Sequence, residues 1–274
     1  GDWSSDVCSS DLLHESVRSA LLAAVSTMEL RSLVCAPRLD KINAGWTREL
    51  FRAADLQTLF LPTLQNLELD IWASRPARVA RLSPAVPPLI VLRLFSAVPN
   101  HILFPLLAAA GNTLEILDVY QEDLLPPDDL WTSLLPSTPS LRSLKIISNP
   151  VLAELNAWTP PDYPAIDRLL PHYARLERLE ASATEISADA MRRLPRCLRH
   201  LVIQSYNPHA LFVANELLDV LSDDTISIVL ESVTVRDVGD AWDEDELGEL
   251  EEAFRAREIQ FSFVPDVDPG DVNL

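Results

Sequence analysis

Three short segments constrain this chain more than any other feature: Leu89-Ile-Val-Leu92-Arg-Leu94, Leu114-Glu-Ile-Leu117-Asp-Val119 and Leu141-Arg-Ser-Leu144-Lys-Ile146. Each reads L-x-x-L-x-[LVI]. The first leucines fall at 89, 114 and 141, so the spacings are 25 and 27 residues. A run of six residues carrying one row of leucines cannot bury that row alone. Stacked neighbours bury it jointly, at about 4.8 Å per strand. Inside each unit a shorter period appears. Leu144 and Ile146 alternate with Ser143, Lys145 and Ile147, the pattern of a strand with one face packed.

A recurrence of this length and pattern predicts a leucine-rich-repeat solenoid of the α/β class. In such a fold a curved parallel sheet lines the concave side, and helices and irregular segments form the convex side. The same template fits Leu30-Arg-Ser-Leu33-Val-Cys35, Leu64-Gln-Asn-Leu67-Glu-Leu69, Leu176-Glu-Arg-Leu179-Glu-Ala181, Leu198-Arg-His-Leu201-Val-Ile203 and Leu230-Glu-Ser-Val233-Thr-Val235. The alternating run Glu258-Ile-Gln-Phe261-Ser-Phe263 reads as a last strand. Nine strands are expected, beginning near residues 30, 64, 89, 114, 141, 176, 198, 230 and 256.

Helical stripes fill several of the intervals. Val17, Leu21, Ala24, Val25 and Met28 share one face, and Trp46, Leu50, Phe51 and Ala54 another. Ile102, Leu103, Leu106 and Leu107 follow Pro99-Asn100, with Pro105 at the start or at a kink. Pro126-Pro-Asp128-Asp129 offers a helix start before Leu130, Trp131, Leu134 and Leu135. Ile166, Leu169, Leu170 and Tyr173 make a further stripe, and Ser187 is expected to cap a short helix with Met191 and Leu194 inward. Leu211, Ala214, Leu218 and Leu221 give the longest clean stripe. Asp243-Glu-Asp-Glu246 opens a last helix carrying Leu247, Leu250 and Phe254, with Arg255 and Arg257 at its basic end. Residues 74–88 and 149–164 are rich in proline and read as irregular.

Composition narrows the function. Forty-one acidic against 22 basic residues give a net charge of −19, unsuited to phosphate backbones or anionic lipid, so neither nucleic acid nor membrane is expected as a partner. No stretch of 18 apolar residues offers a span. Ala20-Leu-Leu-Ala-Ala-Val25 is apolar like a signal core, but no basic start precedes it. Cys8, Cys35 and Cys197 form no metal-type pair and no disulfide framework, which fits an intracellular site, cytoplasmic or nuclear. The opening residues 1–12 resemble translated adapter sequence, and the chain starts with Gly, so a fragment is expected. The repeat domain is assigned to residues 13–264 and a tail to 265–274.

The irregular, proline-rich units, 22 to 35 residues apart, resemble the repeat region of F-box/leucine-rich-repeat proteins, in particular the divergent fungal sets. The resemblance runs from Leu30 to Val264. It implies a substrate-recognition arm of a cullin–RING ubiquitin ligase, in which the repeats bind a protein substrate. An adaptor subunit would bind only if an F-box precedes this segment, since none is present within it. The asparagine that often follows the strand in regular repeats occurs only at Asn149. The alternative is a leucine-rich-repeat binding protein unrelated to ubiquitin ligation.

The residues between the leucines would face the concave side in three columns. Val91, Ile116 and Ser143 form the first, Arg93, Asp118 and Lys145 the second, and Phe95, Tyr120 and Ile147 the third. The second column alternates in sign, so neighbours are expected to pair. The first and third are expected to leave apolar and aromatic groups exposed. The resulting candidate partner-binding set is Val91, Arg93, Phe95, Ile116, Asp118, Tyr120, Lys145 and Ile147, with Phe95 and Tyr120 as aromatic anchors. Asn66, Glu68, Asp70, Arg178, Glu180 and Ser182 make the flanking strands more polar.

Chemistry finds no comparable constellation. His14, His101, His172, His200 and His209 form no ligand pair, and Asp128-Asp129 and Asp223-Asp224 read as helix-end residues. No phosphate-cradling or nucleophile-elbow motif occurs, and six glycines leave little room for one. No metal, no cofactor and no enzymatic activity are expected.

Overall fold

The computed structural model describes residues 16, 19–20, 22–23, 31–35, 51–52, 63–69, 71–72, 88–97, 103, 107–108, 110–121, 138–148, 164–205, 212–223, 225–226, 228–237 and 242–265. Its strands are β1 (Ser32–Cys35), β2 (Phe51–Arg52), β3 (Asn66–Leu69), β4 (Ile71–Trp72), β5 (Val91–Ala97), β6 (Ile116–Gln121), β7 (Ser143–Ser148), β8 (Arg178–Ser182), β9 (His200–Ser205), β10 (Ser232–Asp237) and β11 (Gln260–Pro265). Nine of them form one open, all-parallel sheet in the order β1-β3-β5-β6-β7-β8-β9-β10-β11. Eight of them are the strands that the repeated motif predicts, and β11 lies in the alternating run that follows Glu258. With the intervening helices, the fold is α/β.

Each sheet strand from β1 to β10 starts two residues after the first apolar residue of its motif, because the residue between already belongs to the ladder. The carbonyl of Gln65 accepts from both the Ile90 and Val91 N–H groups, at 2.7 and 3.0 Å. Glu177 does the same for Arg199 and His200, at 2.8 and 3.1 Å. Arg31, Ile90, Arg142 and Arg199 repeat this shared acceptor for the next motif. The same backbone device therefore recurs whatever the length of the segment between strands.

Residues 1–119 and 120–274 form two compact units. In the first, Leu33, Leu67 and Leu92 stand opposite one another in register. They are buried, as are Leu64, Leu89, Leu94, Leu114, Leu117 and Val119. Leu103 and Leu107 of the expected stripe are helical and buried, as is Ala110 beyond it, and Ile102, Leu106 and Pro105 lie outside the described residues. A 3-10 turn at Gly111–Thr113 ends that segment, and the Thr113 hydroxyl donates to the Leu89 carbonyl at 2.8 Å. Phe51 departs from expectation. It lies in β2, pairing parallel with Ile71 of β4, and not on a helical stripe. Phe and Ile favour extended backbone, and the pairing supplies hydrogen bonds that a lone stripe does not specify. The other residues of that stripe lie outside the described residues, as do Val17, Leu21, Ala24, Val25, Met28 and the proposed helix start at Asp128-Asp129.

In the second unit the apolar register continues through Leu144, Leu179, Leu201, Val233 and Phe261, with Ile146, Ala181, Ile203, Val235 and Phe263 two residues on. Helix α1 (Ala165–Leu169) runs into a 3-10 turn (Leu170–His172), and Ile166, Leu169, Leu170 and Tyr173 are all buried, as their spacing predicts. Ser187 stands at the start of the 3-10 helix Ala188–Arg193, but its side chain makes no capping bond. Its backbone N–H and hydroxyl both donate to Asp167 of α1 instead, the N–H at 3.0 Å. Asp167 is buried, and that burial raises its pKa against the opposing pull of these two bonds. A buried carboxylate accepts the nearest donors available, and Ser187 satisfies it rather than its own helix.

Helix α2 (Ala214–Ser222) buries Ala214, Leu217, Val220 and Leu221. Leu218, expected on the inner face, is only half-buried. The stripe is rotated by one position because the helix packs on two partners, the Ala188–Arg193 segment and helix α3 (Glu244–Ala256). Leu211 lies outside the described residues.

The start and end of α3 are both closed by hydrogen bonds. Asp243 accepts from the Glu246 N–H at 2.8 Å, and Glu246 accepts from the Asp243 N–H at 3.2 Å, a reciprocal capping box. At the far end Glu258 adopts φ 60°, the left-handed region. Its N–H donates to Arg255 O and the Ile259 N–H donates to Phe254 O, each at 3.0 Å, which is a Schellman closure. Glu258 was expected to open the last strand. It terminates the helix, and β11 starts at Gln260. Arg257 reaches back and donates to the carbonyls of Leu221, Asp223 and Ile226 at 2.7, 2.8 and 2.9 Å. These are the orphan acceptors at and beyond the α2 terminus. Phe254 stacks on Phe261 of β11 with centroids 4.9 Å apart.

Two stability changes are expected. Leu117→Ala or Leu144→Ala should cost about 2–5 kcal/mol, because each side chain fills a shared interior row. Glu258→Gly should add about 1 kcal/mol, since glycine adopts the left-handed conformation without a Cβ penalty. Urea unfolding midpoints measure both.

Candidate functional site

On each strand the residues between the buried leucines project to the opposite face of the sheet, because side chains alternate. In the first unit this face begins with Asn66 Nδ2 donating to Ser32 Oγ at 3.1 Å. Next to it Arg93 bridges two carboxylates. Its Nη1 donates to Glu68 Oε1 at 3.0 Å, and its Nε lies 2.8 Å from Asp118 Oδ2, an ion pair without hydrogen-bond alignment. Of the alternating charges of the second column, Arg93 and Asp118 thus pair across adjacent strands as their order predicts. Val91 and Ile116 of the first column are half-buried. Phe95 belongs to β5, but its side chain lies outside those described.

In the second unit Lys145 and Glu180 stand opposite one another in register on β7 and β8, with Lys145 Nζ 2.7 Å from Glu180 Oε1. The same ammonium lies 5.3 Å from the centroid of the Tyr120 ring, a cation–π geometry. Tyr120 is half-buried. Ile147 differs from expectation. Its side chain is buried, at 5 % exposure, so it offers no open apolar surface. It belongs to a wider pattern, for Glu180, Ser182, Val202 and Gln204 on the same face are buried as well. Side chains on strands about 4.8 Å apart pack flank to flank, and long polar chains laid across them exclude water.

Glu180 is the hub of that face. Gln204 Nε2 donates to its Oε1, at the position Lys145 also reaches. Arg178 Nη2 stands 3.5 Å from Oε2, and Arg236 Nη1 3.6 Å from Oε1. Burial pushes the Glu180 pKa up, but the hydrogen bond and charge of Lys145, with the charges of Arg236 and Arg178, outweigh it and hold the carboxyl below its ordinary value. Burial likewise opposes the charged form of Lys145, and Glu180 and Tyr120 overcome it, so its pKa is raised. Polar contacts between neighbouring strands continue through β9, β10 and β11. His200 Nδ1 lies 2.9 Å from Ser232 Oγ, and Thr234 Oγ1 lies 3.0 Å from Ser262 Oγ.

The Lys145–Glu180 contact was legible, since both occupy the second column. Gln204 and Arg236 as partners of Glu180 were not. They belong to the third column, and Arg236 reaches Glu180 across the whole width of β9. Asp223 at the end of α2 accepts from the Thr225 N–H at 3.0 Å and from Arg192 Nη1 at 2.9 Å, so it closes a turn as a helix-end residue. The Thr225 and Arg192 bonds lower its pKa. Among the described residues no group of three or more His, Cys, Asp or Glu side chains is placed to hold a metal ion. None of the helices among them is long and apolar enough to cross a membrane. No protein-family model matches the chain, and no curated protein matches it.

The charge network carries a pH signature. A depressed carboxyl pKa stabilises the fold fully above the unfolded value of about 4.5, and that contribution is lost as pH falls through the folded value. The raised Lys145 pKa stabilises below about 10.5 and is lost as pH rises beyond its folded value. Glu180→Gln should therefore cost about 2 kcal/mol at pH 7, because Lys145 loses its counter-charge in a largely dry position. Between about pH 5 and pH 3 the variant should lose less stability than the parent. Urea midpoints across that range measure the difference.

Proposed function

We propose that this chain is a leucine-rich-repeat scaffold that binds another protein, acting as the substrate-recognition region of an F-box-type ubiquitin ligase subunit. One observation carries the scaffold reading: eight of the nine parallel strands come from recurring leucine motifs, and the residues between the buried apolar positions are collected on one face of the sheet. Repetition of this kind holds a broad row of side chains in fixed positions without a deep cleft, which suits contact with a protein better than enclosure of a small molecule. The ligase assignment adds the family resemblance of the irregular, proline-rich units. In this reading the chain binds and does not catalyse.

On this proposal Tyr120 is the aromatic anchor, steadied by the ammonium of Lys145 above its ring. Its half-buried ring is not part of the leucine rows, so its removal should spare the fold. A pull-down with the full-length protein, scored for ligase subunits and for co-purifying substrates, tests the assignment. Capture of a cullin adaptor is the expected result. Capture of other partners with no ligase component would leave a binding scaffold and remove the ligase. Tyr120→Ala should lower partner recovery at least about tenfold with an unchanged circular dichroism spectrum. An unfolded Tyr120→Ala protein would place that ring in the core and remove it from the binding face.

A further inference from the structure

The cluster around Glu180 is unbalanced. Lys145, Arg178 and Arg236 all lie within ion-pair distance of this one carboxylate, a local surplus of two positive charges in a chain whose net charge is −19. The three cations are not held alike. Lys145 is close, at 2.7 Å, and 19 % exposed. Arg178 and Arg236 stand at 3.5 and 3.6 Å, beyond the 2.7–2.9 Å or so of a charge-assisted hydrogen bond, and are 46 % and 47 % exposed. Glu180 is the only carboxylate paired with either arginine among the described residues. Its Oε1 is already served by Lys145 and Gln204, and each arginine approaches the carboxylate through one guanidinium nitrogen at 3.5 Å or more, so both forks keep donors to spare.

We infer that Arg178 and Arg236 form a docking site on this strand face for the carboxylate side chains of an acidic segment in a partner protein. The inference rests on the binding-face reading and specifies the partner's chemistry. Glu180 positions the site: its charge draws the two guanidinium groups toward one point from β8 and β10, on either side of β9. An incoming carboxylate meets two planar donor forks that need little reorientation, which favours bidentate contact. The site suits one or two carboxylates. A nucleic acid presents a much denser row of charge, and the remaining acidity of the chain repels it.

Fluorescence anisotropy with the full chain tests this directly, with labelled oligoglutamate as probe and oligoglutamine and a single-stranded oligonucleotide as comparisons. Oligoglutamate should bind at least about tenfold more tightly than either. The double variant Arg178→Gln, Arg236→Gln should lose that preference while keeping the parent's circular dichroism spectrum, and each single variant should lose part of it. Equal binding of oligoglutamate and oligoglutamine, tighter binding of the oligonucleotide, or an unchanged affinity in the folded variants overturns the inference. The two readings separate in the pull-down. A partner retained by the double variant and released by Tyr120→Ala would keep the binding face and remove the acidic-segment site. Oligoglutamate binding through the arginines with no captured partner would keep the site and remove the scaffold.

Discussion

No strand of the sheet can bury its own leucines. Leu67 is covered because Leu33 and Leu92 stand on either side of it, and Leu201 because Leu179 and Val233 do. Each buried row is therefore shared between adjacent strands. This sharing explains the tolerance for uneven spacing. Successive motifs can begin 22 or 35 residues apart, provided that the segment between them returns the next motif to the shared acceptor carbonyl of the previous one.

Helix α3 closes against the last described strand. Among the described residues no strand follows β11 in the sheet, and its Phe261 is covered on the helix side by Phe254 of α3. The same helix is fixed at its start by the Asp243–Glu246 box and at its end by Glu258. Arg257 ties it to three carbonyls around the α2 terminus. Helix α3 therefore supplies an aromatic lid and a hydrogen-bonding clamp beside β11. The left-handed Glu258 is the strained position in this closure, and it is where the chain turns from helix to strand.

On the opposite face of the sheet the balance is electrostatic. Arg93 sits between two carboxylates in the first unit, and Glu180 among three cations in the second. In both places one charge serves several partners, so the network is only as strong as its central residue. Low exposure around Glu180 makes each contact stronger than it would be in water and makes loss of the centre costly. The two half-exposed arginines mark where this self-contained network gives way to groups with donors to spare.

The sequence by itself determined the strands of the main sheet. The leucine motif located eight of its nine members and the alternating run after Glu258 the ninth, whereas β2 and β4 were not foreseen. It also determined the opposite-charge neighbours, because residues at the same motif position on adjacent strands must face one another. Tertiary structure decided what depends on more than one neighbour. Whether Ile147 meets water depends on the whole packed face, and the inner side of α2 depends on two helical partners. Ser187 turns to Asp167 because a buried carboxylate competes for its hydroxyl. Arg236 meets Glu180 two strands away, a contact that linear spacing does not encode because it depends on side-chain reach across an occupied strand. A short-range pattern fixes what a residue's immediate neighbours dictate, and burial and long reach are fixed only when the layers close on one another.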